Sequence, residues 1–154
     1  CNVGLYRIES VLNHFSHTVS AYVEFSYITK QIAPVFFPTS LYRHIEDAEF
    51  EDKVRFLKET IYQIIKLFDG NMKAVTWDKK NLDDFLNILE CQFENLNSCV
   101  SPAMKPERRL KWYFRKLNWK VLRKMNYSVQ AWELIRKETK CHLQRLGILA
   151  GQMY

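Results

Sequence analysis

The histidines and carboxylates of this chain, residue types that often serve in catalysis, rarely stand at spacings that would let them act together. His14 and His17 form an H-x-x-H pair, which could supply two zinc ligands, but no H-E-x-x-H or C-x-x-C motif accompanies them. We therefore expect both imidazoles to lie on a polar helix face. The adjacent carboxylates of Asp83 and Asp84 point about 100° apart on a helix, so they do not converge as an acid–base pair.

The glycines also exclude the common phosphate-binding loops. They stand at positions 4, 70, 147 and 151, so neither G-x-G-x-x-G nor a P-loop can be formed, and G-x-S-x-G is absent as well. We expect no enzymatic activity, no metal site and no cofactor.

Basic charge is concentrated in the last third of the chain. The net charge is +6, but residues 1–100 carry 10 Lys and Arg against 14 Asp and Glu, whereas residues 101–154 carry 13 against 3. Between 105 and 124 the cations interleave with Trp112, Tyr113 and Trp119, a pattern that also suits nucleic acid or anionic membranes. The alternative interpretation is that the main function of this protein is to bind nucleic acid or anionic membranes. Apolar residues occupy one face of this segment, and no nucleic-acid-binding motif accompanies it. We therefore expect the cations to form a solvated helix face, with no nucleic-acid partner.

Helices must position these residues, since 4 Gly and 4 Pro in 154 residues leave few turns. Apolar periodicity predicts five helices. The first covers 5–22, and the second covers 51–68 and is ended by Gly70 in the left-handed conformation. The third runs from an N-cap at Thr76 to 99, the fourth begins near Pro106, and the fifth is capped by Ser128. Candidate core positions of the last two helices are Leu110, Phe114, Leu117, Val121, Trp132, Ile135, Thr139, His142 and Leu146. We expect residues 147–154 to fray.

The connection after the first helix is long. Residues 23–28 are aromatic and β-branched and fit either a helix or a strand. The loop of about twenty residues that follows contains Pro34 and Pro38 and favours a bundle with long crossovers over a short-loop bundle.

Cysteine usage favours an extracellular protein. The chain begins at Cys1 and holds four cysteines, an even number, so we expect a mature secreted product with disulfides rather than buried thiols. No run of about 18 apolar residues is present, and we expect no membrane insertion.

One stretch of the predicted last helix resembles a known family. Residues 131–138 read Ala-Trp-Glu-Leu-Ile-Arg-Lys-Glu, which is similar to the type I interferon signature Cys-Ala-Trp-Glu, two aliphatics, Arg, any residue, Glu. Residues 36–38, 76–78 and 95–100 resemble other stretches of that family, and 33–145 is similar to the two-cysteine group of salmonid-type fish interferons almost throughout.

The resemblance implies a fold and a function. The fold is an all-α, up-up-down-down helical cytokine bundle of five helices with a long first crossover loop, in a single domain over 1–154. The function is that of a secreted, monomeric cytokine that binds and assembles the two chains of a class II cytokine receptor (the type I interferon receptor). Assembly of the receptor starts kinase-linked antiviral signalling.

The resemblance also implies a disulfide between Cys1 and Cys99. Gln130 replaces the cysteine that precedes Ala131 in the family signature, so Cys91 and Cys141 are left over, either as a second bridge or as two free thiols. Asn126 begins an Asn-Tyr-Ser sequon and is a candidate glycosylation site.

Receptor contacts are implied for the first loop and the last helix. By position, the candidates on the loop are Leu41, Tyr42 and Arg43, and those on the last helix are Arg136, Lys137 and Lys140. Arg136 matches the arginine of the signature, whereas the two lysines match by register. The neighbouring Trp132 is expected to pack in the core.

Overall fold

The protein is helical in the parts described by a computed structural model, residues 35–99 and 107–153. Its helices are α1 (Thr39–Glu46), α2 (Phe50–Leu67), α3 (Lys79–Asn97), α4 (Arg108–Lys116) and α5 (Val129–Met153). Helix α4 continues as a π-helix, Leu117–Arg123, here called the π segment. No strand occurs in the described ranges, as the all-α prediction requires. The predicted helix at 5–22 lies outside the described residues.

Helix α2 is the centre of the bundle and contacts α1, α3, α4 and α5. Its stripe of Val54, Leu57, Ile61 and Ile64 has no exposed surface, as predicted from their spacing. Its bounds differ from the predicted ones by a single residue at each end.

The crossover from α2 to α3 differs from the prediction in two details. Asp78, not Thr76, caps α3: its carboxylate accepts from the backbone nitrogens of Lys80 at 2.9 Å and Asn81 at 3.3 Å. Trp77, directly before this cap, is buried. Gly70 is also not left-handed, and a Cβ there would lie 3.2 Å from Cε1 of Tyr127, so a larger residue would need the tyrosine ring to shift.

Helix α4 and the π segment bury the four predicted core residues Leu110, Phe114, Leu117 and Val121. The π-helical continuation was not predicted. After it, Asn126 and Tyr127 both adopt positive φ, at 55° and 53°. This conformation is common for Asn but costs a tyrosine about 1–2 kcal/mol.

Helix α5 begins as predicted, since the hydroxyl of Ser128 accepts from the nitrogen of Ala131 at 3.2 Å. All five candidate core residues of this helix are buried, namely Trp132, Ile135, Thr139, His142 and Leu146. The expected fraying of residues 147–153 is wrong, because the helix runs to Met153 and buries Leu149 and Ala150.

Helix α1 lies within the segment predicted as a loop. It has no side-chain cap, and its apolar side chains Leu41, Tyr42 and Ile45 are buried. The ring of Tyr42 packs edge-on against Phe56 of α2 with centroids 5.1 Å apart. Tertiary packing therefore stabilises this short helix, since eight residues alone do not form a stable one in water.

The two extra cysteines are free thiols, so the second bridge is not formed. Cys91 is exposed on α3, whereas Cys141 is half-buried on α5 beside Tyr42 and Glu138, so the two thiols face different surroundings. Cys99 is disulfide-bonded. Its predicted partner, Cys1, lies outside the described residues, and the pairing stays a prediction.

Candidate functional site

The two lysines predicted to bind a partner lie at the surface of α5. Lys137 is exposed and Lys140 is half-exposed. Three positions apart, they are neighbours on one helix face. Burial raises the pKa of the neighbouring Glu138, while the hydrogen bond from Tyr113 and the charge of Lys137 partly oppose this shift. The two lysines thus form a cationic surface on α5.

Arg136 has a structural role. Its guanidinium binds both carboxylate oxygens of Glu133, with Nη2 to Oε2 at 2.9 Å and Nε to Oε1 at 3.2 Å. The two side chains are only 12% and 7% exposed. Glu133 also accepts the indole N–H of Trp77 at 3.2 Å. Arg136 thus neutralises the buried carboxylate of Glu133, which anchors the α2–α3 crossover. Little of the Arg136 side chain is left at the surface for a partner.

Trp132 packs in the core, as predicted. It has no exposed surface, and its indole nitrogen donates to the carbonyl of Asn71 at 2.9 Å. Its ring lies against Phe68 and Trp77 at centroid distances of 5.7 and 6.3 Å. The tryptophan, glutamate and arginine of the signature therefore share one task, which is to hold the α2–α3 crossover against α5.

Of the three candidates on the first crossover, only Arg43 is exposed. Leu41 is 6% exposed and Tyr42 only 2%, so both side chains pack in the core, where little of either is left for a partner to contact. The physical reason is the helix itself, which places both side chains on the face that packs against the bundle.

A buried chain of hydrogen bonds joins α1, α4 and α5. The hydroxyl of Tyr42 lies 2.6 Å from Nδ1 of His142, and Nε2 of His142 lies 2.9 Å from the hydroxyl of Tyr113. Tyr113 in turn donates to Oε2 of Glu138 at 2.5 Å. One assignment satisfies every group: Tyr42 donates to Nδ1, the Nε2–H donates to Tyr113, and Tyr113 donates to an ionised Glu138.

Burial sets the protonation of this chain. His142 is fully buried, and desolvation lowers its pKa to about 3, so the ring is neutral at physiological pH. Burial also raises the pKa of Tyr42 and of Tyr113, the latter further because of the charge of Glu138 beside it. The four groups therefore act as a fixed link between helices, which sets where Arg43 of α1 lies relative to α5.

Three exposed aromatic residues, which the sequence did not single out as exposed, lie on α4, the π segment and the segment 35–38. Trp112 and Trp119 are 61% and 65% exposed, and Phe36 is 82% exposed. A groove between the segment 35–41 and α4 is lined by Val35, Phe36, Pro38, Leu41, Arg109, Trp112, Tyr113, Lys116 and Lys120. The interleaving of tryptophans and cations was visible in the sequence, but which rings face solvent depends on the packing of α4.

Asn126 is exposed in the turn between the π segment and α5, where an oligosaccharide would meet solvent. Within the described ranges, no group of three His, Cys, Asp or Glu side chains could hold a metal ion. None of the helices in those ranges combines the length and apolar character needed to cross a bilayer.

Comparisons with known proteins give a consistent result. The family model described as the interferon alpha/beta domain matches residues 28–153. Interferon a3 of rainbow trout (Oncorhynchus mykiss) is 76% identical over 149 residues, covering 94% of this chain and 85% of the trout protein. Horse (Equus caballus) interferon omega-1 is 30% identical over 114 residues, 63% of this chain and 58% of the horse protein. The solved structure of zebrafish interferon 1 matches with a TM-score of 0.73 at 35% identity, covering 99% of this chain and 98% of that one.

Proposed function

Because this chain belongs to the interferon alpha/beta family, whose members are secreted cytokines and not enzymes, we propose that it acts by bringing together the two chains of a class II cytokine receptor. One monomer binds the tighter receptor chain first. The second contact then forms on the membrane surface, where tethering raises the effective concentration of the second chain. Kinases associated with the receptor tails start antiviral signalling inside the cell.

The first receptor contact is assigned to Lys137 and Lys140 of α5 together with Arg43 of α1. The observation that carries this assignment is the 2.6 Å hydrogen bond between Tyr42 and His142. Arg43 follows Tyr42 directly, and Lys140 precedes His142 by two positions, so this bond ties together the two segments that carry the cations. Basic residues held in fixed register suit an acidic receptor surface, where they raise the association rate.

Binding of each receptor ectodomain, measured separately, tests this surface. The double variant Lys137→Ala/Lys140→Ala should bind one receptor chain about tenfold or more weakly, a loss of roughly 1.4 kcal/mol or more. The matched control is Lys79→Ala/Lys80→Ala, which removes two exposed lysines from the start of α3. Equal losses in the two variants would reflect net charge alone and contradict the assignment, as would unchanged binding by the α5 variant.

Three finer features belong to the same proposal. A Cys1–Cys99 bridge would close a loop of about 100 residues and stabilise the fold by about 4–5 kcal/mol on the chain-entropy model. Asn126 carries an oligosaccharide. The active form is a monomer, which in the proposed assembly contacts one receptor chain on each of two faces.

A further inference from the structure

We propose that the outward face of α4 and the π segment is a binding site for sulfated glycosaminoglycans. The site, here called the basic face, consists of eight exposed cations: Arg108, Arg109, Lys111, Arg115, Lys116, Lys120, Arg123 and Lys124. Binding of an extracellular polyanion goes beyond receptor assembly. It depends on the secretion that is typical of the family, and it uses none of the residues assigned to the receptor.

In the part of the chain that the structure describes, little negative charge offsets the basic face. No acidic residue occurs between 108 and 124, and Glu133 is the next one along the chain. Among the described residues, only Arg109 of the eight cations has an ion pair, with Glu107 at 3.2 Å. Seventeen residues cover about 25 Å along a helix, so the uncompensated charge forms a strip rather than a point. A strip of this kind is suited to a linear polyanion.

The cations lie on both flanks of the helix. Lys116 and Lys120 line the groove beside Phe36 and Trp112, on the side of the segment 35–41. Lys111 and Arg115 line a second depression on the opposite flank, together with Tyr62 and Lys66 of α2. A flat bilayer or a stiff DNA duplex reaches one flank of such a ridge at a time. A flexible chain with sulfates on successive sugars can contact both flanks.

The apolar side of α4 and the π segment packs in the core of the bundle. Leu110, Phe114, Leu117 and Val121 are buried in the core, so α4 cannot turn an apolar face toward lipid without unfolding the bundle. Trp112 and Trp119 remain as two isolated exposed rings, and Arg115 lies over the ring of Trp112 at 5.6 Å. Indole faces among cations can stack on sugar rings while neighbouring guanidinium and ammonium groups pair with sulfates.

Binding of the full chain to heparin, to unsulfated hyaluronan, to double-stranded DNA and to phosphatidylglycerol vesicles tests the site. The test variant is Lys116→Gln/Lys120→Gln/Arg123→Gln. The matched control, Lys73→Gln/Lys79→Gln/Lys80→Gln, loses the same three charges from exposed positions around the start of α3. Thermal unfolding should be unchanged in both variants, because all six side chains are exposed.

We expect the wild type and the control to bind heparin at physiological salt, and hyaluronan, DNA and vesicles more weakly. The test variant should bind heparin about tenfold more weakly. The slope of its log binding constant against log salt concentration should be shallower by about two, because each of the three lost cations contributes roughly 0.7, the value for single nucleic-acid strands. Absent heparin binding, or equal losses in the two variants, would overturn the site. Tighter binding of DNA or vesicles than of heparin would overturn the glycan assignment. Receptor binding by the test variant should be unchanged, so failure of this proposal is distinguishable from failure of the receptor proposal.

Discussion

The buried imidazole of His142 predicts that the fold loses stability in mild acid. In the folded protein its pKa is about 3, against an ordinary value of 6.5. As the pH falls below 6.5 the unfolded chain takes up a proton that the folded chain refuses, so the stability contributed by the neutral ring is present above 6.5 and is lost progressively down to about pH 3. At pH 4.5 the expected loss is roughly 3 kcal/mol, from two pH units at about 1.36 kcal/mol each.

The neighbouring carboxyl acts in the opposite direction and must be separated from this effect. Burial raises the pKa of Glu138 above its unfolded value, so protonation of that group in acid adds stability to the folded state. Comparison with a His142→Gln variant removes this contribution, because both proteins keep Glu138. Gln can still donate one hydrogen bond and accept another, which limits the loss at neutral pH.

Urea unfolding followed by circular dichroism at pH 7 and pH 4.5 measures the effect. The wild type should lose roughly 3 kcal/mol more than His142→Gln between the two pH values. A His44→Gln variant, altered at an exposed position of α1, should keep the wild-type pH dependence. The ring signals of His142 in NMR spectra should also not titrate over this range. Equal pH dependence in the wild type and His142→Gln would show that the buried imidazole is not the source of the loss of stability in acid.

Three further predictions concern the crossover, the disulfide and the sequon. Arg136→Ala should lower the free energy of unfolding by about 3–5 kcal/mol, because it leaves the buried carboxylate of Glu133 without its cationic partner. Receptor affinity per folded molecule should stay nearly unchanged. Calorimetry together with receptor binding by the folded fraction checks both results, and a stable variant that no longer binds the receptor would contradict them. Peptide mapping without reduction should recover one linked pair, Cys1 with Cys99, whereas any other pairing would contradict the prediction. Protein secreted from animal cells should lose mass on treatment with an N-glycosidase, and Asn126→Gln should abolish that change; a wild-type mass unaffected by the enzyme would show the sequon to be empty.

Local patterns predicted most of the bundle. The spacing of Val54, Leu57, Ile61 and Ile64 was sufficient to predict α2, because a helix central to the bundle must bury one continuous stripe. Ser128 marked the start of α5 because the capping interaction is formed within three residues. Such features depend on neighbours in the chain and can be read without a structure.

Features that depend on distant residues could not be predicted in this way. Helix α1 has no cap of its own and is held by the hydrogen bond from Tyr42 to His142, one hundred positions away. The local pattern around Arg136 predicts a surface contact, because the burial of Glu133 depends on Trp77, which lies 56 positions earlier. The left-handed turn at Asn126 and Tyr127 likewise depends on how the π segment packs against α5.

The mass of the soluble complex shows whether one molecule of this protein assembles two receptor chains. Light scattering of the protein mixed with both receptor ectodomains should show a complex containing one copy of each of the three chains. With the Lys137→Ala/Lys140→Ala variant at the same concentrations, that complex should be largely lost, whereas the Lys79→Ala/Lys80→Ala control should form it. A wild-type protein that binds only one of the two ectodomains, or neither, would contradict the account.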